Sequence, residues 1–290
     1  MNKKTITAIL GTAFLIFACS YQPSTDTQSD KSALETIVAS TLQAMTQQAP
    51  ASTPQQESSG ITASYQNVSF VIPESIASAA EARAVPAADE TQGGPWGVAP
   101  EYIEFVLVNY QPRDDFLPPV IRIYPAQEYA AVNPWAQSSL TKLQGVLASP
   151  SMLLTNENLP AIPFNGAAAQ QYVAQAKRIS FSNGNGVRMI SQYAQYPAPI
   201  TKSSSYFHYE GLTNDGKYLV AIMFPITLPI QSTFENPSAD GVVYPNDLAD
   251  ANALTAYFQG VTDLLNAASP ESYQPNLNLL DELIQSIQVK

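Results

Sequence analysis

Few side chains in this protein could serve as catalytic bases or nucleophiles. Among its 290 residues, His208 is the only histidine and Cys19 is the only cysteine. A Ser–His–Asp triad would have to use His208, but no G-x-S-x-G segment supplies the nucleophile. His208 lies between Tyr206 and Glu210, which share its side of a strand because strand side chains alternate. We therefore expect His208 on the solvent face of that strand, paired with these two neighbours.

The acidic residues form no sequence pair that predicts glycoside hydrolysis, a reaction in which two carboxylates face each other across a cleft. The local pairs are Glu101 and Glu104, Asp114 and Asp115, and Asp281 and Glu282. Adjacent side chains on a strand or helix point apart, so we expect these carboxylates on the solvated surface. An acid–base hydrolase would need two buried carboxylates that the fold brings together.

Metal and phosphate chemistry is equally restricted. One histidine and one cysteine cannot build the usual zinc sites. A calcium site of oxygen ligands is conceivable in one loop, which carries Asn236, Asp240, Asn246, Asp247 and Asp250. Their spacing is not that of an EF-hand, and we favour a helix cap at Asp247 or Asp250 and a turn at Asp240-Gly241. No Gly-rich phosphate loop is present, so we expect no metal and no cofactor.

The charge balance argues against one class of partner. The chain has 24 acidic and 13 basic residues, and its formal net charge is −11. Nucleic-acid binding needs a basic face that neutralises phosphates, so we expect no nucleic-acid partner. The apolar fraction of 45% is enough for a sizeable core.

The N-terminus has the pattern of an export signal. Residues 2–4 form a short positive start, and residues 6–17 form an apolar stretch that is too short to span a bilayer. Cys19 follows Ala18 at the end of this stretch. The arrangement resembles the lipobox of bacterial lipoproteins, although Phe17 stands where that family usually has a small or β-branched residue. The alternatives are an ordinary cleaved signal peptide and an uncleaved anchor.

The lipobox resemblance implies a signal peptide over residues 1–18, cleavage before Cys19, and acylation of this cysteine. The protein would then be extracytoplasmic and would contact membrane lipid through its acyl chains. It would lie on the outer membrane of a two-membrane envelope, and otherwise on the cell surface. Two or three buried acyl chains hold a protein firmly on a bilayer, whereas a single chain does not.

A tether over residues 19–60 is expected to join this anchor to one globular domain over residues 61–290. Residues 20–30 and 47–60 are rich in polar residues, alanine and proline, and they have little to bury. Between them, Ser32 and Glu35 fit a capping box, and apolar residues recur at helical spacing. This helix, over residues 33–47, either docks on a partner or the lipid interface, or packs on its own domain or frays. We favour the second alternative.

Runs of strands with helices between and after them predict an α+β domain, with a largely antiparallel sheet and helices packed mainly on one face. The predicted strands are residues 66–72, 102–110, 120–124, 172–182, 187–193, 206–212, 218–224 and 286–289. One helix is predicted from Pro134, with Asn133 as its N-cap. Two more are predicted over residues 248–267 and from Pro275. The predicted loops are residues 74–100, 150–169 and 225–249.

Both ends of this domain resemble the PsbP/Mog1-like family. The resemblance rests on Phe70-Val71-Ile72-Pro73 in an early strand and on Leu283-Ile284-Gln285-Ser286-Ile287 in the closing helix and strand. The long segments 74–100 and 225–249 depart from that family. Its members perform unrelated functions, so the resemblance implies the fold alone.

Aromatic residues give the one positive indication of a function. Trp96 lies in a Pro- and Gly-rich loop, Trp135 starts a helix, and Tyr193 and Tyr196 lie next to Pro197. Aromatic side chains on rigid loops bind sugars, peptides or proteins at low entropic cost. The alternative is that both tryptophans pack into the core.

We therefore expect a non-enzymatic binding or assembly module of the cell envelope, whose partner is another envelope protein or a glycan. The alternative is a small-ligand or glycan receptor with an aromatic-lined pocket. A receptor needs a concave pocket, whereas an interaction protein needs an exposed apolar patch.

Overall fold

The computed structural model describes residues 60–94, 97–114, 117–161 and 168–290. They belong to one compact unit, Ser58–Lys290. The predicted signal peptide, Cys19, the predicted tether up to residue 59 with its helix over residues 33–47, and Trp96 lie outside the described residues. Within the described ranges, no helix is long and apolar enough to cross a membrane.

Three antiparallel sheets make up the β structure of the described residues. In the first, β1 (Gly60–Tyr65) pairs with β2 (Val68–Pro73), and β2 also pairs with β12 (Gln288–Val289). A short second sheet joins β6 (Ala169–Gln170) to β9 (Tyr193–Ala194). The remaining strands form the central sheet: β3 (Ala79–Val85), β4 (Tyr102–Val108), β5 (Val120–Pro125), β7 (Ala174–Phe181), β8 (Gly184–Ser191), β10 (Ser205–Thr213) and β11 (Tyr218–Ile226).

The central sheet has the strand order β3-β4-β5-β11-β10-β8-β7, and each of its pairings is antiparallel. The helices are α1 (Glu90–Gly93), α2 (Ala126–Val132), α3 (Pro134–Ala148), α4 (Ala251–Ala267) and α5 (Leu277–Ser286). The α+β class and the largely antiparallel sheet are therefore confirmed.

Helices cover both faces of the central sheet, which is a departure from the expected packing mainly on one face. Along β11, Val220, Ile222 and Phe224 belong to one core cluster, whereas the alternate residues Leu219 and Ala221 belong to another. The first core includes side chains of α4, α5, β1 and β2. The second includes side chains of α2 and α3. The strands of the sheet centre are consequently apolar on both sides, which is the pattern of a fully buried strand.

One of the three predicted helix starts is confirmed, and the other two are shifted by two or three residues. The Asn133 side chain accepts hydrogen bonds from the backbone N–H groups of Trp135 and Ala136, and Pro134 is the first helical residue, as predicted. Asp250 caps α4 in the same way, so this helix begins at Ala251 and not at Leu248. The last helix begins at Leu277, because Asn276 is its N-cap, and Pro275 precedes it.

The strand predictions differ from the structure in several places. Strand β1 is missing from them, and Ser286 of the predicted closing strand belongs to α5. Residues 74–100, expected to be a loop, include the edge strand β3. The turn between β7 and β8 is also tighter than the predicted segment 183–186, because Phe181 pairs directly with Gly184. The strands predicted at 102–110, 120–124, 206–212 and 218–224 correspond to β4, β5, β10 and β11.

Candidate functional site

The expectation that His208 lies on a solvent face is wrong. His208 and Glu210 are both completely buried, because α3 packs over the face of β10 that carries them. His208 Nε2 lies 3.2 Å from Glu210 Oε1, and the Ser139 hydroxyl of α3 donates to Glu210 Oε2 over 2.5 Å. The strand alternation placed these residues on one face correctly, but the sequence did not reveal the helix above them.

This cluster does not have the order of a catalytic triad. In a triad the histidine lies between the nucleophile and the carboxylate, whereas here Glu210 lies between Ser139 and His208. The other ring nitrogen, His208 Nδ1, is 2.9 Å from the hydroxyl of Tyr193. Ser139 is therefore bonded to the carboxylate and not, as a triad would require, to the histidine, and the cluster satisfies the hydrogen-bonding needs of buried polar groups.

The hydrogen bonds continue from Tyr193 to the surface. The Tyr193 hydroxyl donates to Gln170 Oε1 over 2.8 Å, and Gln170 Nε2 donates to Asn156 Oδ1 over 3.0 Å. Asn156 is exposed and lines the largest described cleft. A chain of six side chains thus joins that cleft to the buried His208–Glu210 pair and to α3.

Two carboxylates expected at the surface are buried, which corrects that expectation. Glu104 accepts hydrogen bonds from Arg83 on β3 and Arg122 on β5. Asp281 of α5 accepts hydrogen bonds from Lys177 and Arg188. Since each carboxylate is paired with cations on neighbouring elements, their role in the structure is to hold these elements together. The hydrogen-bond partners of both within the described ranges are basic side chains, whereas a glycosidase requires two carboxylates that face each other.

The register of the central sheet places charged residues in one row that crosses all seven strands. From β3 to β7 its members are Arg83, Glu104, Arg122, Ala221, Glu210, Val187 and Arg178. At the β3 end of this row, Glu104 forms ion pairs with both Arg83 and Arg122. At the β7 end it finishes with Arg178, which pairs with no carboxylate of the described residues.

Three clefts adjoin one another around the loop that follows α3. The largest, here called the α4 cleft, has a volume of about 720 Å³ and lies between residues 153–157, residues 171–173 and α4. A middle cleft of about 440 Å³ shares Leu153 and Leu154 with it. The third, here called the Arg178 cleft, also measures about 440 Å³ and shares Pro150 and Arg178 with the middle cleft. These volumes lie in the range of small-molecule sites.

The lining of the α4 cleft is polar but almost uncharged. Its single acidic residue is Glu157, and no lysine, arginine or histidine lines it. Several hydrogen-bonding groups have no partner within the described part of the chain: the Asn156 amide nitrogen, Gln171 Oε1 and the Thr262 hydroxyl. Phe258 supplies a half-buried aromatic ring. No sequence pattern marks these residues as a site, because they come from three separate segments of the chain.

The aromatic residues selected from the sequence do not share one of these clefts. Trp135 and Tyr196 are 39% and 52% exposed, and neither lines any of the three. Tyr193 belongs to the hydrogen-bonded chain described above. Their proposed part in ligand binding stays a prediction, as does that of Trp96.

The acidic loop of residues 236–250 has a structural explanation. Asp250 caps α4. Asp240 and Gly241 both have a positive φ, and Ala239 pairs with Val242 across them, as the predicted turn requires. In the described ranges, no three or more His, Cys, Asp or Glu side chains are grouped as a metal site requires.

No family model, curated protein or solved structure matches the chain. The resemblances to bacterial lipoproteins and to the PsbP/Mog1-like family therefore stay predictions.

Proposed function

We propose that the chain is a lipid-anchored, extracytoplasmic binding protein without enzymatic activity, and that its ligand is an uncharged, polyhydroxylated molecule such as an oligosaccharide. The observation that carries this proposal is the α4 cleft. Its combination of volume, unpaired amide and hydroxyl groups, and an aromatic ring suits a ligand that offers many neutral hydrogen-bonding groups and an apolar ring face.

The chemistry of the described residues supports a binding role over catalysis. The one histidine is buried and bonded at both ring nitrogens. The buried carboxylates Glu104, Glu210 and Asp281 each have their own partners. The α4 cleft itself is lined by one carboxylate, that of Glu157, and by no histidine, lysine or second carboxylate, so it offers affinity without a pair of carboxylates or a histidine for acid–base catalysis.

Ligand binding is tested by titrating the full-length chain, purified in detergent, with a panel of neutral oligosaccharides. The key variant is Thr262→Val, which removes a hydroxyl from the cleft but keeps the side-chain shape. We expect it to weaken binding about twofold to tenfold, the effect of one hydrogen bond. The matched control is Thr141→Val on α3, which lines none of the three clefts and should bind like the wild type.

Two results would contradict the proposed ligand. A panel without any binding would favour a protein partner, as an assembly module requires, and crosslinking in intact cells would then identify it. Equal losses in Thr262→Val and Thr141→Val would mean that the ligand binds elsewhere.

The anchor is tested separately. Cys19→Ser removes the only thiol that could be acylated, so we expect this variant to leave the membrane fraction. If it stays in the membrane fraction like the wild type, the lipoprotein assignment is wrong.

A further inference from the structure

Arg178 is unusual among the arginines of the central sheet. Arg83, Arg122 and Arg188 all donate hydrogen bonds to buried carboxylates. Arg178 instead donates from Nη2 to the carbonyl oxygens of Ser149 and Met152, over 3.0 and 2.9 Å. Its Nε is buried without a hydrogen-bond partner, and no carboxylate of the described residues pairs with it. A buried donor without a partner requires an explanation.

The two clefts that Arg178 lines contain no acidic residue. This is notable in a chain with 24 acidic residues and a net charge of −11. Arg178 is the only charged residue in either lining. A guanidinium that forms no ion pair with a described carboxylate makes these clefts locally attractive to anions.

The Arg178 cleft also supplies neutral hydrogen-bond donors. Asn185 Nδ2 donates to Asn214 Oδ1 over 3.1 Å, which leaves its second N–H unused. The side-chain Nδ2 of Asn214 donates to no described residue, whereas its backbone N–H donates to the Asn183 carbonyl oxygen. Both asparagines line the cleft together with Arg178, so three N–H-bearing side chains surround a space of about 440 Å³. Oxyanions are bound by such sets of N–H donors.

Apart from Ser180 and Thr213, the rest of the lining is apolar, and this limits the kind of anion that would bind. Leu147 and Pro150 come from the end of α3, and Ile179 and Leu212 come from β7 and β10. A strongly hydrated ion such as inorganic phosphate would gain nothing from these side chains. A carboxylate with a short apolar body would bury apolar surface against them.

We propose that the Arg178 cleft binds a small organic carboxylate, whose oxygen atoms accept hydrogen bonds from Arg178 and from the amides of Asn185 and Asn214. The apolar body of the ligand packs on Leu147, Pro150 and Leu212. This site is independent of the α4 cleft and of the neutral ligand proposed there.

The test is a titration of the full-length chain, purified in detergent, at constant ionic strength with three probes. Butyrate carries the carboxylate, butyramide is its neutral isostere, and inorganic phosphate is an anion without an apolar body. We expect butyrate alone to bind and to raise the midpoint of thermal unfolding. Equal binding of butyramide, or a response to phosphate without one to butyrate, would overturn the proposal.

The key variant is Asn214→Asp. It keeps the oxygen that accepts from Asn185 but replaces the free N–H groups by a negative charge that repels the ligand. We expect the affinity for butyrate to fall at least about tenfold. Asn252→Asp is the matched control, since it makes the same change of charge at an exposed position outside the three clefts and should bind like the wild type.

Arg178→Gln should also abolish butyrate binding, but it removes two bonds to the loop after α3, so its folding must be checked by circular dichroism. Asn214→Asp leaves those bonds in place, so its affinity for butyrate decides whether the Arg178 cleft is the binding site. If Asn214→Asp binds butyrate as tightly as Asn252→Asp, the cleft is not the carboxylate site.

Discussion

The two arginines that share Glu104 allow a direct test of how burial controls the strength of an ion pair. Both donate to the same carboxylate, which is only 3% exposed. The Arg83 side chain is 70% exposed, whereas that of Arg122 is 17% exposed. We therefore compare the free energies of unfolding of Arg83→Gln and Arg122→Gln.

The expected magnitudes differ several-fold. Two charges about 4 Å apart attract each other by ~1 kcal/mol in water, but by ~4 kcal/mol at the lower effective dielectric constant of a site within a protein. Solvent screens Arg83, so its loss should cost about 0.2–1 kcal/mol. Loss of Arg122 leaves the buried Glu104 with only an exposed partner, and breaking a buried pair costs about 3–5 kcal/mol. Arg122 also lies 5.6 Å from the ring centroid of Tyr102, and that contact is lost as well.

The measurement is urea unfolding of the wild type and both variants in low and high salt. We expect Arg122→Gln to lose about 3 kcal/mol in either condition. The smaller loss of Arg83→Gln should shrink as salt rises, because exposed pairs are screened. Equal losses from the two variants, or a larger loss from Arg83→Gln, would refute the argument that burial decides the strength of these pairs.

Two further predictions concern the β hairpins and the helices. A Cβ atom at Gly186 would lie closer than 3.0 Å to the backbone oxygen of Glu210, whereas one at Gly145 in α3 meets nothing within 4 Å. Gly186→Ala should thus lower the free energy of unfolding by about 3 kcal/mol, whereas Gly145→Ala should raise it by about 0.5–1 kcal/mol. If the two variants changed this free energy by the same amount, a Cβ atom at Gly186 would not meet the neighbouring strand as closely as described. Hydrogen bonds from Thr213 and then Lys217 lower the pKa of Asp215 to about 2. The folded state therefore gains stability from ionised Asp215 above its ordinary value of 3.8, and this gain is lost as pH falls through about 2. Asp215→Asn should lower the unfolding midpoint at pH 7 but not near pH 2, and a difference that is constant with pH would contradict this.

The sequence predicted those elements whose signals are local. The α3 cap at Asn133 and the hairpin of β10 and β11 depend on residues within one turn of the chain. Strand β3 has the sequence AAEARAV, whose alanines carry no strand preference. It is a strand because Arg83 and its neighbours pair with β4. That pairing joins residues 21 positions apart, and no local pattern reports it.

The candidate sites could not be predicted for the same reason. The α4 cleft combines residues 153–157, 171–173 and 255–266, and the Arg178 cleft combines α3, β7, β8 and the turn after β10. The polar residues that line both clefts are of common types, and they form no recognisable sequence motif. Whether His208 is buried or exposed likewise depends on whether a helix covers that face of β10, and this is a property of the whole fold.

The position of the clefts follows from the way the central sheet is covered. Helices bury both faces at the centre of the sheet, so a ligand site that uses sheet residues lies toward the sheet edge. At the β3 end, the row of charges is complete because Glu104 holds both Arg83 and Arg122. At the β7 end, Arg178 forms no ion pair within the described part of the chain, and three adjoining clefts lie between the sheet edge and the loop after α3. A ligand carboxylate that pairs with Arg178 would give this end of the row the negative charge that Glu104 supplies at the other end. For this reason we propose a ligand site at the β7 edge of the sheet and not at the exposed aromatic residues.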